Sequence, residues 1–111
     1  MCVASATAAP LVELCLTRLG VADKFRFLLS CEDVGAGKNQ PDVFLEAARR
    51  LGSMPSETAV YEDAYFAART AKEAGFWTVG VYDERGEHHW AKLQTVADAL
   101  IRDWAAAAKA L

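Results

Sequence analysis

The chain has 111 residues, 53% hydrophobic and 24% charged, with a formal net charge of −3. Such a composition suits one soluble globular domain with enough apolar material for a core, and it excludes a basic field that would draw nucleic acid or an anionic membrane. Cys2, Cys15 and Cys31 form neither a CxxC pair nor a Cys/His metal spacing, and are read as reduced, buried thiols of a cytoplasmic protein.

The apolar start, MCVASATAAPLVELCL, lacks a basic n-region and is interrupted at Pro10, so an export signal is not expected. No apolar run approaches the roughly 18 residues of a membrane span. Residues 2–5 read as a strand entering a loop. Leu11, Val12, Cys15, Leu16 and Leu19 then share one helical face, which Gly20 closes as a left-handed cap. A second strand is predicted over 25–29, followed by a glycine-rich loop over 30–40. Pro41 suits the first position of the next helix, where its missing N–H would have no intrahelical partner. Val43, Phe44, Ala47, Ala48 and Leu51 carry that helix's apolar face up to Gly52. A third strand is expected over 58–61, a helix over 64–74 ending at Gly75, and a fourth strand over 76–82. The order β-α-β-α-β-α-β, with short connections, predicts an α/β fold in which helices cover both faces of a parallel sheet. Residues 89–111 read as one alanine-rich helix or as two, broken near 98–101. Trp90 and Trp104 read as core or helix-packing residues. His88 and His89 are adjacent, cannot share a helical face, and are expected in an exposed turn.

Ligands of open parallel sheets bind beyond the carboxyl ends of the strands. Ser5 and Thr7 follow the first strand, Lys38 ends the loop after the second, and Glu62 and Asp63 follow the third. Hydroxyls and an ammonium group suit phosphate oxygens. Two neighbouring carboxylates would repel a phosphate, so they call for a hard cation such as Mg²⁺ to reverse the local field. The sequence Gly35-Ala36-Gly37-Lys38 is not a Walker loop, because Glu32 and Asn39 stand where that pattern needs glycine and Ser or Thr. Each signal also has a structural reading: helix caps for the hydroxyls and carboxylates, a solvated loop residue for the lysine.

The stretches Gly37-Lys38-Asn39-Gln40-Pro41-Asp42, Val60-Tyr61-Glu62-Asp63 and Ala71-Lys72-Glu73-Ala74-Gly75-Phe76 resemble the β-phosphoglucomutase and phosphoglycolate-phosphatase branch of the haloacid dehalogenase-like (HAD) superfamily. The resemblance runs from Val3 to about Tyr82. It implies a Rossmann-like, three-layer core and Mg²⁺-dependent phosphoryl transfer or phosphomonoester hydrolysis through an aspartyl-phosphate. By that resemblance Ser5 binds the transferring phosphoryl group with Thr7 close by, Lys38 steadies nucleophile and phosphate, and Glu62 and Asp63 bind Mg²⁺, Asp63 being the direct ligand. Asn39 and Ala64 depart from the pattern, which commonly has proline and serine there.

The family's nucleophile lies in an Asp-x-Asp motif, and this chain contains none. Residues 1–111 therefore resemble a partial core that holds motifs two to four and lacks the first central strand and the cap. The resemblance places that strand between those ending at Ser5 and Glu62. Two readings follow. One is a hydrolase module that acts on a small phosphorylated metabolite and is inactive alone, because metal and phosphate ligands cannot replace a nucleophile. The other is a non-catalytic Mg²⁺/phosphate-binding or protein-interaction remnant. Either allows self-association or complementation through an exposed sheet edge.

Overall fold

The computed structural model describes residues 1–109. They divide into two compact units, Met1–Met54 and a second that starts at Pro55.

In the first unit β1 (Val3–Ser5) leads through α1 (Ala9–Arg18) and a 3₁₀ turn (Ala22–Lys24) to β2 (Leu28–Ser30), which continues directly into the short helix α2 (Cys31–Val34) and then α3 (Asp42–Leu51). The two strands pair in parallel, with Val3 opposite Leu28 and Ser5 opposite Ser30. Helix α3 is strongly two-faced. Val43, Phe44, Ala47 and Ala48 are buried, as are Leu29 and Cys31, while Glu46 takes Arg49 and Arg50 as ion-pair partners on the outer face. Burial of the larger side chains contributes about 1.5–3 kcal/mol each. Gly52 ends α3 at φ 75°, a left-handed position where any Cβ would be strained.

The second unit runs from a 3₁₀ turn (Pro55–Glu57) through β3 (Ala59–Glu62), α4 (Tyr65–Glu73), β4 (Trp77–Val81), a 3₁₀ turn (Glu84–Gly86) and α5 (Glu87–Val96) to β5 (Ala99–Ile101) and α6 (Trp104–Lys109). Its sheet is all parallel in the order β3-β4-β5. Strand β4 is central, and its Thr78, Val79 and Gly80 are buried. Ala67, Ala68 and Ala71 give α4 a face of small side chains, each fully buried. Asp98 fastens the start of β5, its Oδ2 accepting the Thr78 N–H at 2.8 Å while Lys72 pairs with its Oδ1.

The α/β class and parallel pairing agree with the sequence reading. Several details differ. The second strand starts three residues later than expected and ends one residue later, and the predicted loop after it begins as a helix because Ser30 and Asp33 form a capping box. Pro41 occupies the N-cap of α3 rather than its first turn. The tail forms two helices, α5 and α6, broken at 98–101 as the second of the two readings has it, and the break is a strand, β5, that pairs with β4. Its last two residues, Ala110 and Leu111, lie outside the described residues. Cys31 is buried as expected, but Cys15 is exposed on α1 and Cys2 half-buried. Burial pushes the Cys2 thiol up from its ordinary value. Trp90 packs edge-on against Tyr82, with ring centroids 5.4 Å apart, whereas Trp104 is 57% exposed and only stacks on Tyr61.

Candidate functional site

Ser5 is the last residue of β1, and its Oγ accepts the Thr7 N–H at 3.0 Å, fixing the turn that leaves the strand. In the paired strand Ser30 Oγ donates to the Thr7 carbonyl at 3.0 Å and accepts the Glu32 N–H at 3.2 Å. Ser30 N–H in turn donates to Asp33 Oδ2 at 2.8 Å. Ser5 and Thr7 are thus brought together at the carboxyl end of the β1-β2 pair, with Ser30 as a third hydroxyl. Strand-end polarity alone does not single out Ser30, although Ser30-Cys31-Glu32-Asp33 carries a capping-box spacing that would have found it. Lys38, half-buried in the loop before α3, holds its ammonium 5.8 Å from the centre of the Phe44 ring. That places a cation over an aromatic face near the start of α3.

In the second unit Glu62 ends β3 and is 6% exposed. Its Oε2 accepts the Ala64 N–H at 3.4 Å, so this carboxylate helps to close the turn into α4. Asp63 is exposed. The guanidinium of Arg85 is held above its ordinary pKa chiefly by Asp83, with a smaller contribution from the charge of Asp63. Among the described residues no group of three or more His, Cys, Asp or Glu side chains is placed to hold a metal. Two adjacent carboxylates fit Mg²⁺, which takes one or two protein carboxylates and completes its shell with water and phosphate oxygens. They do not fit a closed protein cage. Ser5, Thr7 and Lys38 lie in one unit, Glu62 and Asp63 in the other.

One contact overturns an expectation. His89 is not in an exposed turn but half-buried in the first turn of α5, and its Nδ1 accepts the Tyr65 N–H at 3.1 Å. Its partner is a backbone group 24 residues away, which no spacing rule in the sequence reveals.

Parallel strands joined through helices define an α/β protein, a class whose ligands bind beyond the carboxyl ends of the strands. The family model for haloacid dehalogenase-like hydrolases matches residues 1–75, and the chain belongs to that family. It is 33% identical over 81 residues to the fructose-1-phosphate phosphatase YqaB of Escherichia coli K12, covering 73% of this chain and 43% of that protein. To the β-phosphoglucomutase of Bacillus subtilis it is 38% identical over 66 residues, or 60% of this chain and 29% of the relative. The chain thus spans less than half the length of these relatives. Among solved structures, a haloacid dehalogenase-like protein from Agrobacterium tumefaciens superposes with a TM-score of 0.81 at 26% identity, covering 98% of this chain and 53% of that one. A HAD phosphatase from Thermococcus onnurineus gives 0.76 at 27% identity, with 96% and 48% covered. Phosphatases and phosphomutases are the family's relevant relatives.

Proposed function

We propose that residues 1–111 are a partial core which binds phosphate and Mg²⁺ for hydrolysis or transfer of a phosphoryl group on a small phosphorylated metabolite, and which is inactive until an Asp-x-Asp strand is supplied. The observation that carries this reading is positional. Ser5 and Glu62 each terminate a parallel strand and Lys38 lies in the loop that leads into α3, within a segment that matches the hydrolase family. Ser5 and Thr7 offer hydroxyls to phosphate oxygens, and Lys38 offsets their charge. Asp63, with Glu62 bracing the turn, would hold Mg²⁺. When bound, the metal would neutralise phosphate charge and polarise the phosphorus centre. By the family resemblance the nucleophile belongs to an Asp-x-Asp motif, and no Asp-x-Asp occurs in the chain. Complementation has a structural basis, since β1 and β3 are each the terminal strand of their own sheet.

The test is phosphate release from a panel of sugar phosphates in the presence of Mg²⁺. The chain alone should release none. Adding a polypeptide with an apolar strand ending in Asp-x-Asp should produce Mg²⁺-dependent release, abolished by Lys38→Ala or Asp63→Asn. Release by the chain alone that survives both substitutions would refute the reading. No release on complementation, with Mg²⁺ still bound, would favour the non-catalytic alternative.

A further inference from the structure

The start of α4 has an unusual support. Its N-cap is Ala64, which has no side-chain acceptor for the helix's first N–H groups, although Ser, Thr, Asp or Asn is the usual solution there. Two groups from elsewhere take over. Glu62 Oε2 accepts the Ala64 N–H at 3.4 Å, and His89 Nδ1 accepts the Tyr65 N–H at 3.1 Å. Tyr65 is held a second time from α5, with Lys92 Nζ 5.7 Å from the centre of its ring. His89 and Lys92 are one turn apart on α5, so a single helix face grips the residue two positions beyond Asp63. Because Nδ1 accepts an N–H, it carries no proton, and the ring proton sits on Nε2.

We infer that His89 is a positioning residue for the acidic pair: by anchoring the first N–H of α4 it fixes the 62–65 turn and with it the carboxylate of Asp63. The inference rests on the proposed role of Asp63 in binding Mg²⁺. His89 does not itself touch metal or phosphate. It does what Ala64 cannot, holding the turn from outside so that the loop is set before a cation arrives.

The experiment compares the full chain with His89→Ala, His89→Asn and Asp63→Asn, reading Mg²⁺ binding by titration of backbone amide resonances and hydrogen exchange at the Tyr65 amide. Asparagine can place its side-chain oxygen close to the position of Nδ1 and retain the acceptor. His89→Ala should weaken Mg²⁺ binding about tenfold, the order found when groups that orient metal ligands are removed. It should also speed Tyr65 exchange roughly two- to tenfold. His89→Asn should restore both to near the wild-type values. If wild type binds Mg²⁺ no better than Asp63→Asn, the metal reading fails and the inference falls with it. If wild type binds but His89→Ala binds equally well, only the role of His89 is overturned. Faster exchange with unchanged Mg²⁺ affinity likewise overturns that role and leaves His89 a structural cap.

Discussion

Asp98 has three donors on one carboxylate: the Lys72 ammonium, the Thr78 N–H at 2.8 Å and the Thr78 hydroxyl at 3.3 Å. Lys72 first, then the Thr78 N–H, hold its carboxyl below the ordinary carboxylate value. A carboxylate depressed in the folded state stabilises the fold above its unfolded pKa, and that contribution is lost as pH falls through the folded value. Asp98→Ala should therefore lower the free energy of unfolding by about 1–3 kcal/mol near neutral pH, since the fully buried Thr78 loses its partner. The gap between the two proteins in urea denaturation should narrow below about pH 4. A gap unchanged from neutral to strongly acidic conditions would show that the charge on Asp98 contributes nothing. Glu46 makes the opposite case. Arg49 and then Arg50 push its carboxyl down to about 2, yet it lies on a solvated helix face. Water screens such pairs, so Glu46→Gln should leave the melting temperature nearly unchanged despite the larger shift. The same contrast governs legibility. Ser5, Glu62 and Asp63 could be read as candidates in the sequence because each ends or follows a strand-like run, whereas the partners of His89 and Asp98, the Tyr65 N–H for one and Lys72 and Thr78 for the other, are brought close only by folding.

At the scale of elements, the helices α1, α3 and α4 were legible because apolar spacing and a glycine stop coincide. Gly20, Gly52 and Gly75 all have positive φ, as a left-handed helix stop requires. Strand β5 was not legible. Its three residues, Ala99-Leu100-Ile101, sit in an alanine-rich tail whose local preference is helical, and the decisive terms are pairing with β4 and the Asp98 tie. The packing around β5 explains a glycine within a strand. A Cβ on Gly80 would stand 3.0 Å from Leu100 Cδ2 and 3.3 Å from both Ala97 Cβ and Leu93 Cβ. Gly80→Ala should thus cost about 1–3 kcal/mol by overpacking, read as a lower denaturation midpoint with an unchanged slope. Equal midpoints would mean that α5 and β5 shift away from β4 without loss.

For the whole molecule, the physical question is what the terminal strands β1 and β3 do. Both run parallel to their neighbours, and parallel sheets are normally flanked and covered, because a terminal strand presents a row of backbone donors and acceptors. Helix α1 and its C-cap add to the exposed surface, with Leu11, Leu14 and the capping Leu19 all more than half exposed. A peptide that pairs with either edge binds the folded chain and not the unfolded one, so it must raise stability by mass action, by about 2.7 kcal/mol at a hundredfold excess over its Kd. Titrating the chain with a peptide that forms an apolar strand ending in Asp-x-Asp should therefore raise the melting temperature in a concentration-dependent way. A peptide with proline at the middle of the strand should not, because it cannot donate to the ladder. Changing both aspartates to asparagine separates structure from chemistry: that peptide should stabilise the chain as the parent does and yet support no phosphate release, since strand pairing uses the backbone and phosphoryl transfer needs the carboxylate. A melting temperature that ignores all three peptides would show that the edges do not accept a strand.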